Sequence, residues 1–202
     1  DADIVRLDED TANGGLVRIP REGLSLEHTL YANTPVLRRL GKKEFDEPPP
    51  EDVFSFGDLE GKTRPAATVE ITFSGASIVR YEWDGDRWLR YQGDTAFVAE
   101  SGDHVAVDNV LIEEHDVNLS DTIFDAAGNA STEIGNETGS GRAVLFRDGR
   151  AIPGTWTRES IDDPVTFETK AGDEMVFAEG SIWVHLVPSK AGEVQGSFEY
   201  AK

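Results

Sequence analysis

Apolar and polar positions alternate with a period of two over most of the chain after residue 60. Val69, Ile71 and Phe73 alternate with Thr68, Glu70 and Thr72. That pattern predicts a strand with one buried and one wet face. Ile78 to Trp83 and Trp88 to Tyr91 flank Asp84-Gly85-Asp86-Arg87 and predict a hairpin. A two-residue Asp-Gly turn would pair Tyr81 with Trp88, and a loop centred one residue later would pair Trp83 with Trp88. Both registers bring aromatic side chains together across the strands. Ala143 to Phe146 and Ala151 to Trp156 flank Arg147-Asp148-Gly149-Arg150. Asp-Gly between two such runs is the strongest short-range hairpin signal, because a type I′ turn needs positive φ twice. Pro153 lacks a backbone donor, which predicts an edge strand or a bulge for that arm. Ile182, Val184 and Leu186 alternate with Trp183, His185 and Val187 up to Pro188. Val105 to Asn118 is strand-like, and Ala171-Gly172-Asp173 is a turn. Phe124 to Gly141 is rich in Gly, Asn, Ser and Thr and reads as a loop, with Gly139-Ser140-Gly141 a flexible entry to the next hairpin.

The first 43 residues follow another pattern. Asp3 to Leu7 is a short strand candidate, and Asn13-Gly14-Gly15 is a turn. Thr34-Pro35 before Val36 to Leu40 and Gly41 predicts a short helix, with Thr34 as cap, Pro35 in the first turn and Gly41 as the stop. Residues 44–52 read EFDEPPPED, a stiff extended connector with solvated acids. The organisation expected is therefore a short α/β segment over 1–43, a Pro-rich acidic connector over 44–52 and a mainly-β domain over 53–202. That domain should hold about ten antiparallel strands in sheets and hairpins, sandwich-like or barrel-like.

Charge narrows the chemistry. Thirty-nine acids against nineteen bases give a formal charge of −20. Nucleic-acid binding through phosphate contacts needs clustered Lys and Arg, so no nucleic-acid partner is expected. Docking on anionic lipid is disfavoured for the same reason, and a Lys-poor acidic surface also suits salt adaptation. There is no cysteine, which excludes disulfides, thiol catalysis and cysteine-ligated metals. No apolar run approaches the roughly 20 residues that span a bilayer. The chain begins at Asp1 without Met and is read as a mature or truncated fragment.

The order of several motifs carries a resemblance. These are Tyr81-Glu82-Trp83-Asp84, Arg87-Trp88-Leu89-Arg90-Tyr91-Gln92-Gly93, Asp108-Asn109-Val110, Gly139-Ser140-Gly141-Arg142-Ala143, Phe146-Arg147-Asp148-Gly149, Gly154-Thr155-Trp156 and Trp183 to Pro188. Together they resemble the C-terminal domain of YerB-like bacterial lipoproteins over residues 65–190. Arg18, Arg21 and His28-Thr29-Leu30-Tyr31 resemble the tail of that family's N-terminal domain, with Thr29 where Asn is usual. The resemblance implies an extracytoplasmic protein, membrane-anchored through an upstream lipidated Cys absent from this chain. The family has no settled activity, so it implies compartment and fold more than function.

Candidate chemistry is sparse. None of His28, His104, His115 and His185 falls in a H-x-x-x-H or H-E-x-x-H pattern, and no cofactor or metal is expected. Asp84-Gly85-Asp86 and Asp162-Asp163 depart from the full calcium-loop pattern. Ser140 fails the G-x-S-x-G pattern of a nucleophile elbow. His28 with Arg18, Arg21 and Tyr31 offers a polar site for an anionic group, because Arg and His⁺ both donate to oxyanions. A two-residue turn at Asp148-Gly149 sets Arg147 against Arg150. That pair is either neutralised by nearby carboxylates or part of a basic patch for a carboxylate- or phosphate-bearing wall polymer. The function expected is a non-enzymatic binding or scaffold module of the bacterial cell envelope, with an envelope protein or wall component as partner. The alternative is a hydrolase or transferase acting on an envelope polymer.

Overall fold

The computed structural model describes residues 14–44, 53–59, 61–125 and 127–202. The strand candidate Asp3 to Leu7 and the connector after residue 44 lie outside them. The chain divides into two compact units, Asp1–Glu51 and Asp52–Lys202.

In the first unit, β1 (Leu16–Arg18) pairs antiparallel with β2 (Leu30–Ala32) through a 3-10 turn at Leu26–Thr29. Helix α1 spans Thr34–Glu44. Asn33, not Thr34, caps it: Asn33 Oδ1 accepts from Val36 N at 3.3 Å, and its carbonyl accepts from Leu37 N. Gly41 lies inside the helix and does not stop it. Gly costs a helix only about 1 kcal/mol relative to Ala, which the cap and flanking residues outweigh.

The second unit runs in chain order through β3 (Ser55–Phe56), β4 (Arg64–Pro65), β5 (Thr68–Ser74), β6 (Ser77–Trp83), β7 (Trp88–Gln92), β8 (Thr95–Ala96), β9 (Ala106–Val107), β10 (Asn109–His115) and β11 (Val117–Phe124). It continues through β12 (Ala130–Ile134), β13 (Gly139–Arg147), β14 (Arg150–Arg158), β15 (Thr166–Thr169), β16 (Val176–Phe177), β17 (Ile182–Pro188) and β18 (Ser197–Ala201). Sheet I has the order β15-β14-β13-β10-β17, with β4 also on β14. Sheet II has the order β18-β5-β6-β7-β8, with β9 also on β7. The fold is mainly β with antiparallel sheets, and among the described residues no barrel closes.

Sheet II turns Val69, Ile71, Val79, Tyr81 and Trp88 inward, and sheet I meets them with Val110, Ile112, Val144, Phe146 and Val187. Sheet I is covered on its other face too. Leu111, Leu145, Ile152 and Trp156 pack there against Phe167, Met175 and Phe177. Burial on both faces explains why Val110-Leu111-Ile112 and Ala143 to Phe146 are unbroken apolar runs, while sheet II strands alternate.

Both predicted hairpins form. Trp83 pairs with Trp88, their rings 5.3 Å apart, which selects the four-residue loop. Asp148 and Gly149 have φ of 51° and 64°, and Arg147 pairs with Arg150. Gly149 is required twice over, since a Cβ there would lie 2.9 Å from the Trp83 ring.

Four further expectations need correction. Val105 to Asn118 is broken at Asp108 and Asp116, whose carboxylates accept from Ser181 and Ser189 hydroxyls. Phe124 to Gly141 is no loop: it contains the end of β11, all of β12 and the start of β13. Gly141 is a strand residue that leaves room for the Trp156 ring. Strand β14 is not an edge, because β13 lies on one side and β4 and β15 on the other. The two-residue turn makes Arg147 and Arg150 a hydrogen-bonded pair, so Val144 and Pro153 are a non-bonded pair. Pro153 therefore turns its donorless nitrogen into the interval between β4 and β15. Finally, β10 and β17 pair in parallel across seven residues, within an otherwise antiparallel sheet.

Candidate functional site

The anion-site residues of the first unit lie on one ribbon. Val17 pairs with Tyr31 and Arg18 with Leu30. Arg18 Nη1 donates to the Leu26 carbonyl at 2.6 Å. The Arg21 guanidinium lies 5.2 Å from the Tyr31 ring centroid. His28 is exposed on the 3-10 turn. The ribbon thus brings Arg18 to the turn that carries His28, and Arg21 to Tyr31. Sequence reasoning passed over α1, where Thr34, Pro35, Arg38, Arg39 and Lys42 line a shallow concavity of about 480 Å³. The signal was present as four cations in eleven residues of an acidic chain.

The arginines of the Asp148-Gly149 hairpin diverge. Arg147 is only 5% exposed. Its Nε donates to Asp148 Oδ2 at 2.7 Å, and its Nη1 donates to the Gly57 and Val176 carbonyls at 2.8 and 3.0 Å. It therefore fastens the cover of sheet I rather than presenting a charge. Arg150 Nε donates to Thr63 Oγ1 at 2.8 Å. The opposed like charges are accommodated because the two guanidinium groups take different partners, Gly57 and Val176 for Arg147 and Thr63 for Arg150.

Thr63 leads into a groove of about 860 Å³ where the neighbour of β14 is interrupted. Pro153 and Ile152 form its floor. Lys62, Arg64 and Lys170 line it, with Asp173 and Glu174. Acids outnumber bases about two to one in the whole chain, whereas three bases face two acids in the groove. Glu174 is further engaged by the Ser55 hydroxyl at 2.5 Å.

Two of the shifted groups, Tyr81 and His185, lie between the sheets. Tyr81 faces Arg90 across β6 and β7. Tyr81 Oη and His185 Nε2 are 2.8 Å apart. Burial, then the Arg90 charge, pushes His185 down to about 4, so the ring is neutral at neutral pH. Burial raises Tyr81 far above the usual phenol range, against the opposing pull of Arg90. Because a guanidinium only donates, the hydroxyl turns its lone pairs to Arg90 and its proton to His185. Arg90 is 7% exposed and lies 4.0 Å from the Phe97 ring centroid and 4.5 Å from that of Trp183. Its Nη2 donates to Gln92 Oε1 at 3.1 Å. Two cation–π contacts offer about 2 kcal/mol each when desolvated, against several kcal/mol for burying a cation. The rings thus offset only part of the cost. Sequence reasoning left Arg90 unexamined, because an Arg in a strand is ordinarily at the surface.

A second buried pair sits on the covered face of sheet I. His115 Nε2 and Glu113 Oε2 are 3.2 Å apart, and the His115 ring stacks on Trp156 at 4.3 Å. Trp156 is core, with its Nε1 donating to the Glu114 carbonyl at 2.9 Å. The Asp84 carboxylate accepts from Arg87 N and Asp86 N, which holds it below the usual carboxylate range. It serves its own turn. No group of metal-ligating side chains occurs among the described residues, and no helix there is long and apolar enough to cross a membrane.

A comparison with curated proteins returned no match. Among solved structures, the crystal structure of YerB protein from Bacillus subtilis is similar, with a TM-score of 0.64 and 18% identity. The match covers 93% of this chain and 60% of that one, so this chain spans well under two thirds of that relative. At that identity the likeness concerns the fold alone. Residues 69–184 match the family described as protein of unknown function (DUF3048), C-terminal domain, and on that match the chain belongs to the DUF3048 family as a YerB-like domain.

Proposed function

We propose that this chain is a non-enzymatic binding module of the bacterial cell envelope that takes an extended anionic polymer into the groove beside Pro153. The observation that carries the reading is the local charge reversal: Lys62, Arg64 and Lys170 line a groove on a chain of charge −20. A phosphate- or carboxylate-bearing wall polymer is repelled by most of this surface and attracted there, which gives orientation as well as affinity. The basic concavity on α1 and the ribbon carrying Arg18, Arg21, His28 and Tyr31 offer the same chemistry in the first unit. Arg150 contributes at the groove through Thr63. An extracytoplasmic location with an upstream lipid anchor belongs to this proposal. It is supported by the ordered motifs that resemble YerB-like lipoproteins.

The test is sedimentation with purified bacterial wall, before and after extraction of its anionic polymers. The wild-type chain should bind intact wall and lose binding on extraction or in high salt. A Lys62→Gln, Arg64→Gln, Lys170→Gln variant should bind at least tenfold more weakly, with stability changed by no more than about 0.5 kcal/mol, as for exposed positions generally. Equal binding by the variant, or no binding by the wild type, would overturn the reading.

A further inference from the structure

We infer that Arg90, together with Tyr81, His185 and the rings of Phe97 and Trp183, forms a receptor for one small anion between the two sheets. The inference begins with an accounting of donors. Arg90 Nη2 reaches Gln92 and the Tyr81 hydroxyl oxygen faces the guanidinium, but Nε and Nη1 are buried and meet no acceptor at hydrogen-bond geometry. Buried donors without acceptors are rare in folded proteins and mark a strained, functional or ion-binding position. Here the group is also charged, and no carboxylate pairs with it among the described residues, although the chain has thirty-nine.

Geometry says where an anion sits. Phe97 and Trp183 stand on two sides of the guanidinium at 4.0 and 4.5 Å, with their rings perpendicular to each other. Aromatic rings attract a cation without accepting its N–H groups as a carboxylate would. An acceptor must therefore approach from a side that neither ring covers. Tyr81 faces the guanidinium across the strand pair with the neutral His185 against it, and the two add dipoles without adding a competing negative charge.

The entrance is identifiable as well. Phe97 is 38% exposed and rides on a narrow loop. Phe97 N donates to the Arg90 carbonyl at 3.0 Å, Arg90 N donates to Val105 O, and Val98 bridges to His104. The loop closes over Arg90 by a few backbone bonds, whereas Trp183 belongs to β17 of the other sheet. Size follows from burial: Arg90 is only 7% exposed, which suits chloride or a single carboxylate and not a polymeric anion. The site is thus separate from the groove beside Pro153, both in place and in the anion it takes.

The experiment uses the whole chain and its Arg90→Met variant, melted in chloride, formate and gluconate at matched ionic strength. Chloride, formate or both should raise the wild-type midpoint above that in gluconate. The shift should be saturable in onset and roughly 3–5 °C for each tenfold rise above the dissociation constant. Arg90→Met should show no such difference. A response to chloride alone identifies an inorganic anion, and one to formate alone identifies a ligand carboxylate. The Arg90 Nε–H resonance of the wild type should move along the same saturation curve, a readout that does not depend on the variant folding. Identical anion responses in the two proteins, or an Arg90 resonance that does not move, would overturn the inference.

Discussion

Arg147 and Arg90 are buried to nearly the same extent, 5% and 7% exposed, in regions that treat a cation in opposite ways. Around Arg147, on the covered face of sheet I, a carboxylate and two carbonyls take its donors. Around Arg90, between the sheets, one amide oxygen takes a donor, the Tyr81 hydroxyl faces the group and two aromatic rings flank it. The first arrangement serves architecture, because it ties Gly57 and Val176 to the β13–β14 turn. The second leaves donors in reserve. Burial of a charge therefore says little by itself. What separates a structural cation from a receptor is whether its directional donors are spent.

The sharpest way to break the contrast is to remove the architectural cation. Arg147→Met deletes two charged hydrogen bonds to carbonyls and should cost about 4 kcal/mol in denaturant unfolding. A loss under about 1 kcal/mol would mean that water replaces those bonds, and Arg147 would no longer differ from Arg90.

The polar cluster beside Arg90 makes a pH prediction. The His185 pKa is about 4 folded against 6.5 unfolded. Between those values the unfolded chain binds the extra proton, so stability is fully present above about pH 6.5 and falls as pH drops towards 4. The contribution is at most about 3 kcal/mol. His185→Gln should remove that component, so that wild-type stability minus variant stability falls on acidification from pH 6.5 towards 4. A constant difference would place His185 outside the shielded cluster.

Gly149→Ala has a smaller expected cost, about 1–2 kcal/mol for the left-handed backbone, with further strain from the Trp83 ring. Thermal melting would measure it. An unchanged midpoint would show that the hairpin tolerates another turn geometry, which would loosen the anchor of Arg147.

How legible these regions were in the sequence follows the same division. The Asp148-Gly149 hairpin could be read because its turn chemistry is local and its Arg147–Arg150 register follows from loop length. The Val69-Ile71 alternation could be read because sheet II buries one face. The β11–β12 arm could not. Leu119, Ile123 and Phe124 are exposed on it, so no buried face imprints a period on the sequence. The parallel β10–β17 pair is invisible locally, since its partners are about seventy residues apart. The breaks at Asp108 and Asp116 arise from distant serines, Ser181 and Ser189. The groove needed Lys62 and Arg64 to meet Lys170, a juxtaposition only the assembled sheet provides. Arg90 was hidden for another reason: it lies within a motif that carried the family resemblance, but nothing in that motif signals burial.

The claim that the two buried arginines differ in kind is tested most directly by unfolding Arg90→Met and Arg147→Met side by side in gluconate buffer. Replacing a buried charge that lacks a protein counterion with an apolar side chain of similar length is often neutral or stabilising. Arg90→Met should therefore match or exceed wild-type stability, while Arg147→Met falls by about 4 kcal/mol. Comparable losses in the two variants would contradict the account, because Arg90 would then be as fully spent in holding the fold as Arg147.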